Sequence, residues 1–344
     1  MGKRTGVMQS MCWFRAMALV GVLTLLWVPV SPGQTTSITS SGLNTQVSHV
    51  AGQPNYDITG GTRPGNGTNL FHGFGDFSVG TNHIANFLND SGLPTSNILG
   101  RVSGGNPSNI FGMIQTTGFG SANLFLMNPA GIIFGPNASL NVGGSVTFTT
   151  ANYIKLTDGV RFRVLSNSLA DGLLSAASVA AFGFLGSHPG AITVQGSQLT
   201  VAEGKGLSLV GGDIRMTGGT LSAPGGQINV ASLAGRGEAR IAPDGITIAG
   251  RTARGNIEIK GGTQPDDVAT LDTSGDGGGA VVIRGGKLSL TRAEVLTGTK
   301  ADSQRGGDIV IEAGKSVTLD KGSLTTEAIH SAQNAQSGNV SLHA

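Results

Sequence analysis

Cysteine is almost absent from this sequence, and its absence removes several classes of chemistry at once. Of 344 residues only Cys12 is a cysteine, so the chain makes no internal disulfide, thiolate metal cluster or paired redox centre. Long apolar runs are missing too: the longest, residues 16–28, is about 13 residues, against roughly 20 for a bilayer-spanning helix. Lys3, Arg4 and Arg15 precede it and Pro29, Ser31, Pro32 and Gly33 follow it. That is the layout of a secretory signal peptide over residues 1–33, cleaved after Gly33, with a membrane anchor as the competing reading. Cys12 lies before the run, misplaced for lipid attachment, and leaves with the leader. Excess charge is lacking as well. The formal net charge is +2, and loss of Lys3, Arg4 and Arg15 turns it to about −1, so nothing draws nucleic acid electrostatically.

Aromatic residues are confined to part of the chain. Residues 34–190 hold 12 of the 13 Phe and both Tyr, whereas residues 191–344 hold no aromatic residue. Charges run the other way, ten in the first region and 29 in the second. The contrast argues for a boundary near residue 190, between a head (34–190) that buries large rings and a shaft (191–344) of aliphatic strands with a charged exterior. Glycine is what abounds. Its 57 residues are about twice the usual share, without a Gly-X-Y period, and signal the many turns of a repetitive β architecture rather than collagen.

Residues 123–144 place two rigid turns close together. In Asn128-Pro129-Ala130-Gly131 the proline presets φ at the second position of a type I turn, Asn128 can bond its own backbone, and Gly131 suits the exit. Gly135-Pro136-Asn137-Ala138 repeats the device. The short apolar runs around them, with Leu124, Leu126, Ile132, Ile133, Phe134, Leu140 and Val142, read as strands of a winding sheet.

This segment resembles the N-terminal secretion domain of filamentous-haemagglutinin-like exoproteins, the passengers of two-partner secretion, whose hallmark is an Asn-Pro-Asn-Gly-Ile turn after an apolar strand. Ala130 replaces the second Asn here. Three further blocks carry the resemblance in the family's order: Leu70 to Gly80, Ile98 to Gly112, and Thr149 to Ile154. The resemblance implies a secreted, adhesin-like exoprotein that passes through the periplasm by the Sec route. A dedicated outer-membrane transporter with periplasmic recognition domains would bind it there and thread it out unfolded. It also implies extra-helical elements covering the coil, and a surface read by the transporter that includes Asn106, Pro107, Asn109, Asn128, Pro129, Gly131 and Ile132. A cell-surface glycan or host receptor is the further partner such a protein implies; no cofactor is implied.

The second region repeats. Gly, one polar or small residue, then Ile or Val recurs at Gly226-Gln227-Ile228, Gly255-Asn256-Ile257, Gly279-Ala280-Val281, Gly307-Asp308-Ile309 and Gly338-Asn339-Val340. Such steps fit solenoid coils, each burying its aliphatic face against a neighbour. The expected fold is all-β: a right-handed parallel β-helix with an N-terminal capping and secretion domain and extra-helical elements. Ile228, Ile257, Val281, Ile309 and Val340 should stack in one interior column. An antiparallel β-sandwich is the alternative, signalled by Asp-Gly at 244 and 276. Residues 166–190 interrupt the pattern and fit an amphipathic helix or a packed apolar excursion, serving as a capping flap rather than a ligand pocket. The sequence stops as a repeat opens, which reads as a fragment of a longer exoprotein or a last coil that another molecule covers.

Chemistry is sparse. The histidines at 49, 72, 83, 188, 330 and 343 have no metal-ligand spacing, and His72 reads as a packing or turn residue. Gly275-Asp276-Gly277-Gly278-Gly279-Ala280 precedes a strand, so it lacks the helix N-terminus of a dinucleotide loop. Asp266, Asp267, Asp272 and Asp276 form the densest acidic set, read as a solvated loop ahead of weak calcium binding or sugar cleavage. No catalytic, cofactor or metal residue is assigned. A β-helical polysaccharide lyase or hydrolase is the rival to a non-enzymatic exoprotein, and it requires Asp266, Asp267, Asp272, Asp276, Arg284 and Lys287 to converge in one groove. A self-sufficient autotransporter would need its own run of membrane strands, which is lacking.

Overall fold

Short strands that alternate apolar with small polar residues bury one face only when a neighbouring strand covers it. In the computed structural model the chain meets this need by winding into a three-sided parallel β-helix. The structure describes residues 1–2, 35–165, 168–250, 252–264, 266–300, 302, 304–328 and 334–344. The leader reading falls, apart from its first two residues, outside the described residues, as does His330. Gly33–Ala344 forms one unit.

On the first face, parallel register places Leu70, Ile98, Leu124, Val146, Leu207, Ile228, Val281, Ile309 and Val340 in a single column. The second face stacks Ser108, Ile132, Ile192, Ile214, Ile257, Leu288 and Val317. The third carries Leu199, Leu221, Leu271, Val295 and Leu324, preceded nearer the N-terminus by Tyr56, Ala85, Ile114 and Leu140. Apart from Ser108 and Val340, the latter 42% exposed on the last coil, these side chains form or pack against the main core. Within it Phe74, Phe77, Phe87, Phe134 and Phe148 fill the N-terminal coils, and Ile, Val and Leu fill the rest.

Four of the five side chains expected in one column do share it; Ile257 does not. It lies on the second face, between Ile214 and Leu288. The reason is an excursion. Residues Gly237–Ala242 and Gly245–Ile248 leave the coil as an antiparallel hairpin, so Ile228 meets its partner Val281 only after this detour, and Gly255-Asn256 opens a second-face strand instead. Asp244-Gly245 marks this local hairpin, in which Ala242 pairs with Gly245 and Gly245 has φ +107°. The turn chemistry is that of a hairpin, but the fold is no sandwich.

Residues 166–190 yield a packed apolar excursion. Beyond a four-residue helix, Ser168–Asp171, the chain forms the strand Val179–Phe184. This strand sits in a five-stranded antiparallel sheet with Tyr153–Leu156, Arg161–Arg163 and the 237–248 hairpin, outside the helix. Its inner face, including Ile154, Phe162, Phe182 and Ile246, packs on Phe71, Leu99, Phe125 and Met127, which point outward from the first face. Ring burial in this region therefore serves two layers, one inside the coil and one beneath the added sheet.

Two buried arginines fasten that sheet. Arg101 projects from the first face, makes a bidentate pair with Asp171 (2.7 Å to each oxygen), donates to Arg163 O at 3.0 Å and lies over the Phe162 ring. Arg284, on the first-face part of the strand Ala280–Thr291, donates to Ile246 O at 2.8 Å and pairs with Glu312 at 3.0 Å. Replacing Asp171 with Asn removes the counter-charge from the buried Arg101 cation and keeps only one acceptor oxygen, at an expected cost of about 3 kcal/mol. Chemical denaturation of the variant checks this, and a midpoint equal to wild type would show that the pair is not a fastener.

The N-terminal end is capped by antiparallel strands. Ser37–Ser40 pairs with the first-face strand Asn69–Ser78, and Thr45–His49 with Asn55–Gly60, which removes the open edge that a parallel stack would present. His72 lies in the core beneath this cap. Its Nδ1 faces Thr45 Oγ1 at 3.3 Å and its Nε2 has no partner. Burial, reinforced by the Arg63 charge and opposed by Asp90, pushes its pKa down to about 3 from the usual 6.5. Because the folded value lies below the unfolded one, no protonation-linked penalty applies above pH 6.5, and stability falls as pH drops from 6.5 towards 3. At pH 5 the loss is about 2 kcal/mol. His72→Phe is expected to abolish that acid sensitivity. Parallel pH-dependent melts of variant and wild type test it.

Candidate recognition site at the Asn-Pro turns

The residues singled out in 106–109 and 128–132 sit on successive coils, and the second-face strands Ser108–Ile110 and Ile132–Phe134 pair in parallel. Asn128 joins them. Its Oδ1 accepts the Ala130 N–H at 3.0 Å, the Asx bond anticipated from the sequence, while Gly131 N–H closes the turn onto Asn128 O at 3.1 Å. Its Nδ2 donates to Asn106 O and to Ser108 Oγ, both at 2.9 Å. With Asn128 N–H on Thr149 O at 2.9 Å, one residue only 1% exposed binds three stretches of chain.

The other members divide by exposure. Gly131 has φ +119°, where a side chain is strained, and a Cβ there would stand 3.1 Å from Ala191 O. Ile132 is buried in the second-face column. Asn109 is half-buried and held through its backbone, N–H on Ser78 Oγ at 3.1 Å and O accepting from Val79 at 2.8 Å. Asn106 and Pro107 are exposed, and Asn106 donates to Asp76 Oδ1 at 3.0 Å; Pro129 and Ala130 are half-exposed. The turn at Gly135 also forms, with Ala138 N–H on Gly135 O at 2.9 Å, and a Cβ at Gly135 would run into the Phe111 ring.

Sequence reading missed Ser108, which is fully buried and is the side-chain partner of Asn128. Its signal was a small hydroxyl residue between two named positions in an Asn-rich turn. A cleft of about 220 Å³ opens beside Pro129 and Ala130, lined also by Asn152, Val164, Leu165 and Leu185, with Leu165 81% exposed.

Asp272 and Arg284, two of the residues that an enzymatic groove would need to bring together, stand on different faces. Asp272 lies on the third face, where its Oδ1 accepts the Ser274 N–H at 2.8 Å, and the Asp267 carboxylate lies against Gly218 and Gly262. Arg284 stands on the first face, committed to Ile246 and Glu312. Among the described residues no group of three His, Cys, Asp or Glu side chains is placed to hold a metal ion.

A parallel β-helix with an antiparallel N-terminal cap, an added outer sheet and Asn-Pro turns locked into its coils has the architecture of a secreted β-helical passenger. Residues 34–290 match the family described as the TPS secretion domain, and the chain belongs to that family. It is a secreted exoprotein that a two-partner system exports across the outer membrane, with a cognate outer-membrane transporter as its partner. Its fold is similar to the crystal structure of the HMW1 secretion domain from Haemophilus influenzae, at 17% identity and TM-score 0.45, covering 87% of this chain and 84% of that one. It is also similar to the crystal structure of the filamentous hemagglutinin secretion domain, at 17% identity and TM-score 0.48, covering 88% of this chain and 99% of that one. No curated protein sequence matches the chain.

Asn128→Ala removes three side-chain hydrogen bonds and strands buried partners, so a loss of about 2–3 kcal/mol is expected. Asn128→Asp keeps the Ala130 bond but turns a carboxylate towards Asn106 O, and should destabilise to a similar degree. Ala130→Asn, at a half-exposed position, should be neutral. Equilibrium unfolding of the three variants tests the ranking; an Asn128→Ala variant as stable as wild type would contradict the hub.

Proposed function

We propose that Asn106, Pro107, Asn109, Asn128, Pro129, Gly131 and Ile132 are read by the periplasmic domains of the transporter while the chain is still unfolded. The same groups then lock the first coils once it emerges. The burial of Asn128 carries this reading: a side chain that is 1% exposed in the fold can be recognised only before folding. Folding outside the membrane then withdraws the signal from the transporter and makes export directional. A chain without cysteine beyond the leader has no disulfide to lock it in the oxidising periplasm, which suits passage by the Sec route and threading as an open chain. The family match begins at residue 34, where the leader reading puts the mature N-terminus.

On this reading the aromatic-rich residues 34–190 nucleate the stack and residues 191–344 extend it. The protein is a non-enzymatic, adhesin-like module whose outer faces meet a cell-surface glycan or receptor, rather than a lyase. The placement of Asp272 on the third face and Arg284 on the first favours this over the enzymatic rival.

Co-expression with the transporter separates recognition from folding. Ser108→Ala breaks the same hub as Asn128→Ala but leaves the named motif residues intact. Pulse-labelled secretion should fall at least five-fold for Asn128→Ala and stay near wild type for Ser108→Ala. Equal defects would mean that the motif serves folding alone. Mass spectrometry of the secreted product should find its N-terminus at Gln34 or within a few residues of it, and an intact Met1 would refute the leader.

A further inference from the structure

We infer that the cleft between the first face and the edge of the added sheet is a binding subsite for a neutral carbohydrate. The cleft holds about 440 Å³, within the range of small-ligand sites. Its floor is the outward side of five adjacent strands, carrying Asn97, Asn123, Thr147, Ser208, Gln227 and Asn229. Its roof is the start of the Val179–Phe184 strand and the turn of the 237–248 hairpin, with Val179, Ile241 and Ile246.

Two features select the ligand class. No lining residue is charged, which argues against phosphates, sulfates and carboxylates, since these are held by Arg, Lys or helix N-termini. The floor is also too polar for an apolar guest, which would leave its amides and hydroxyls without partners. Asn97 donates to Asn69 Oδ1 at 2.8 Å and accepts from Asn123 at 3.1 Å, so Asn97 and Asn123 each keep a second donor hydrogen for a ligand, whereas Asn229 spends both of its own on Ser208 and Gln227. Gln227 is held only through its Oε1, which accepts from Asn229 at 3.2 Å, leaving its NH₂ unengaged. Thr147 is 7% exposed, lines the cleft, and its hydroxyl bonds no described protein group. Beside these groups Phe125 and Ile246 offer apolar surface. Ordered donors and acceptors at the strand spacing of about 4.8 Å, next to an apolar wall, suit a molecule with many hydroxyls and apolar C–H faces: a neutral oligosaccharide.

Gly206 lies on the floor and provides the test. A Cβ there meets nothing nearer than Gln227 O at 3.4 Å, so Gly206→Val fills the cleft without disturbing the ladder, and Val suits a strand. The secreted chain is titrated calorimetrically with maltotriose, cellotriose, chitotriose and mannotriose, and with dextran sulfate as a polyanion control. At least one trisaccharide should bind with a Kd of millimolar or tighter. Gly206→Val should weaken it at least tenfold and the near-isosteric Thr147→Val several-fold, with melting curves and secreted yield unchanged. The yield reads the export proposal separately. Binding of none of the trisaccharides, binding of dextran sulfate alone, or equal binding by both variants would overturn the assignment.

Discussion

The structure rests on parallel register between successive coils. Each coil presents a narrow apolar strip that is worth little alone, at about 25 cal/mol per Å² buried, and becomes a core only when the next coil lies over it. The column from Leu70 to Val340 is the plainest expression of this dependence, one aliphatic side chain per coil over nine coils. Everything else either starts that stack, interrupts it or rides on it. The antiparallel cap closes its first edge, the Asn128 hub sets the offset between its early coils, and the added sheet covers outward-facing rings that would otherwise meet water.

That dependence bears on secretion. A fold made of neighbour contacts can grow from one end as chain becomes available, without waiting for distant residues. The N-terminal coils bury large aromatic rings where later coils bury aliphatic side chains, and they hold the Asn128 hub and both layers of ring packing. They are the part best able to hold together first. The added sheet is a partial exception to purely local growth, since the Val179–Phe184 strand pairs with Gly237–Ala242 and awaits a later segment.

Much of this was legible in the sequence because its signals are local. Turn residues at 128–131, the alternation of short strands and the Gly-x-Ile repeats each act over a few residues, and they pointed to a β-helix and to the Asn128 turn. What escaped depended on partners distant in the chain. Ile257 looked like a member of the Ile228 column because the Gly-x-Ile unit precedes strands on two faces, and only the hairpin detour decides which. The Val179–Phe184 strand pairs antiparallel with Tyr153–Leu156 on one side and with Gly237–Ala242 on the other, a relation no local period encodes. Ser108 was passed over because its importance lies in the one amide that reaches it from the next coil.

Native-state hydrogen exchange along the first-face column tests the account most directly, because it reads the stability of each coil separately. If the stack is anchored by its N-terminal coils and extended by neighbour contacts, amides of Leu124, Val146 and Leu207 should exchange most slowly, with protection declining through Val281 to Ile309. Uniform protection over the whole column, or greater protection at Ile309 than at Leu124, would contradict it.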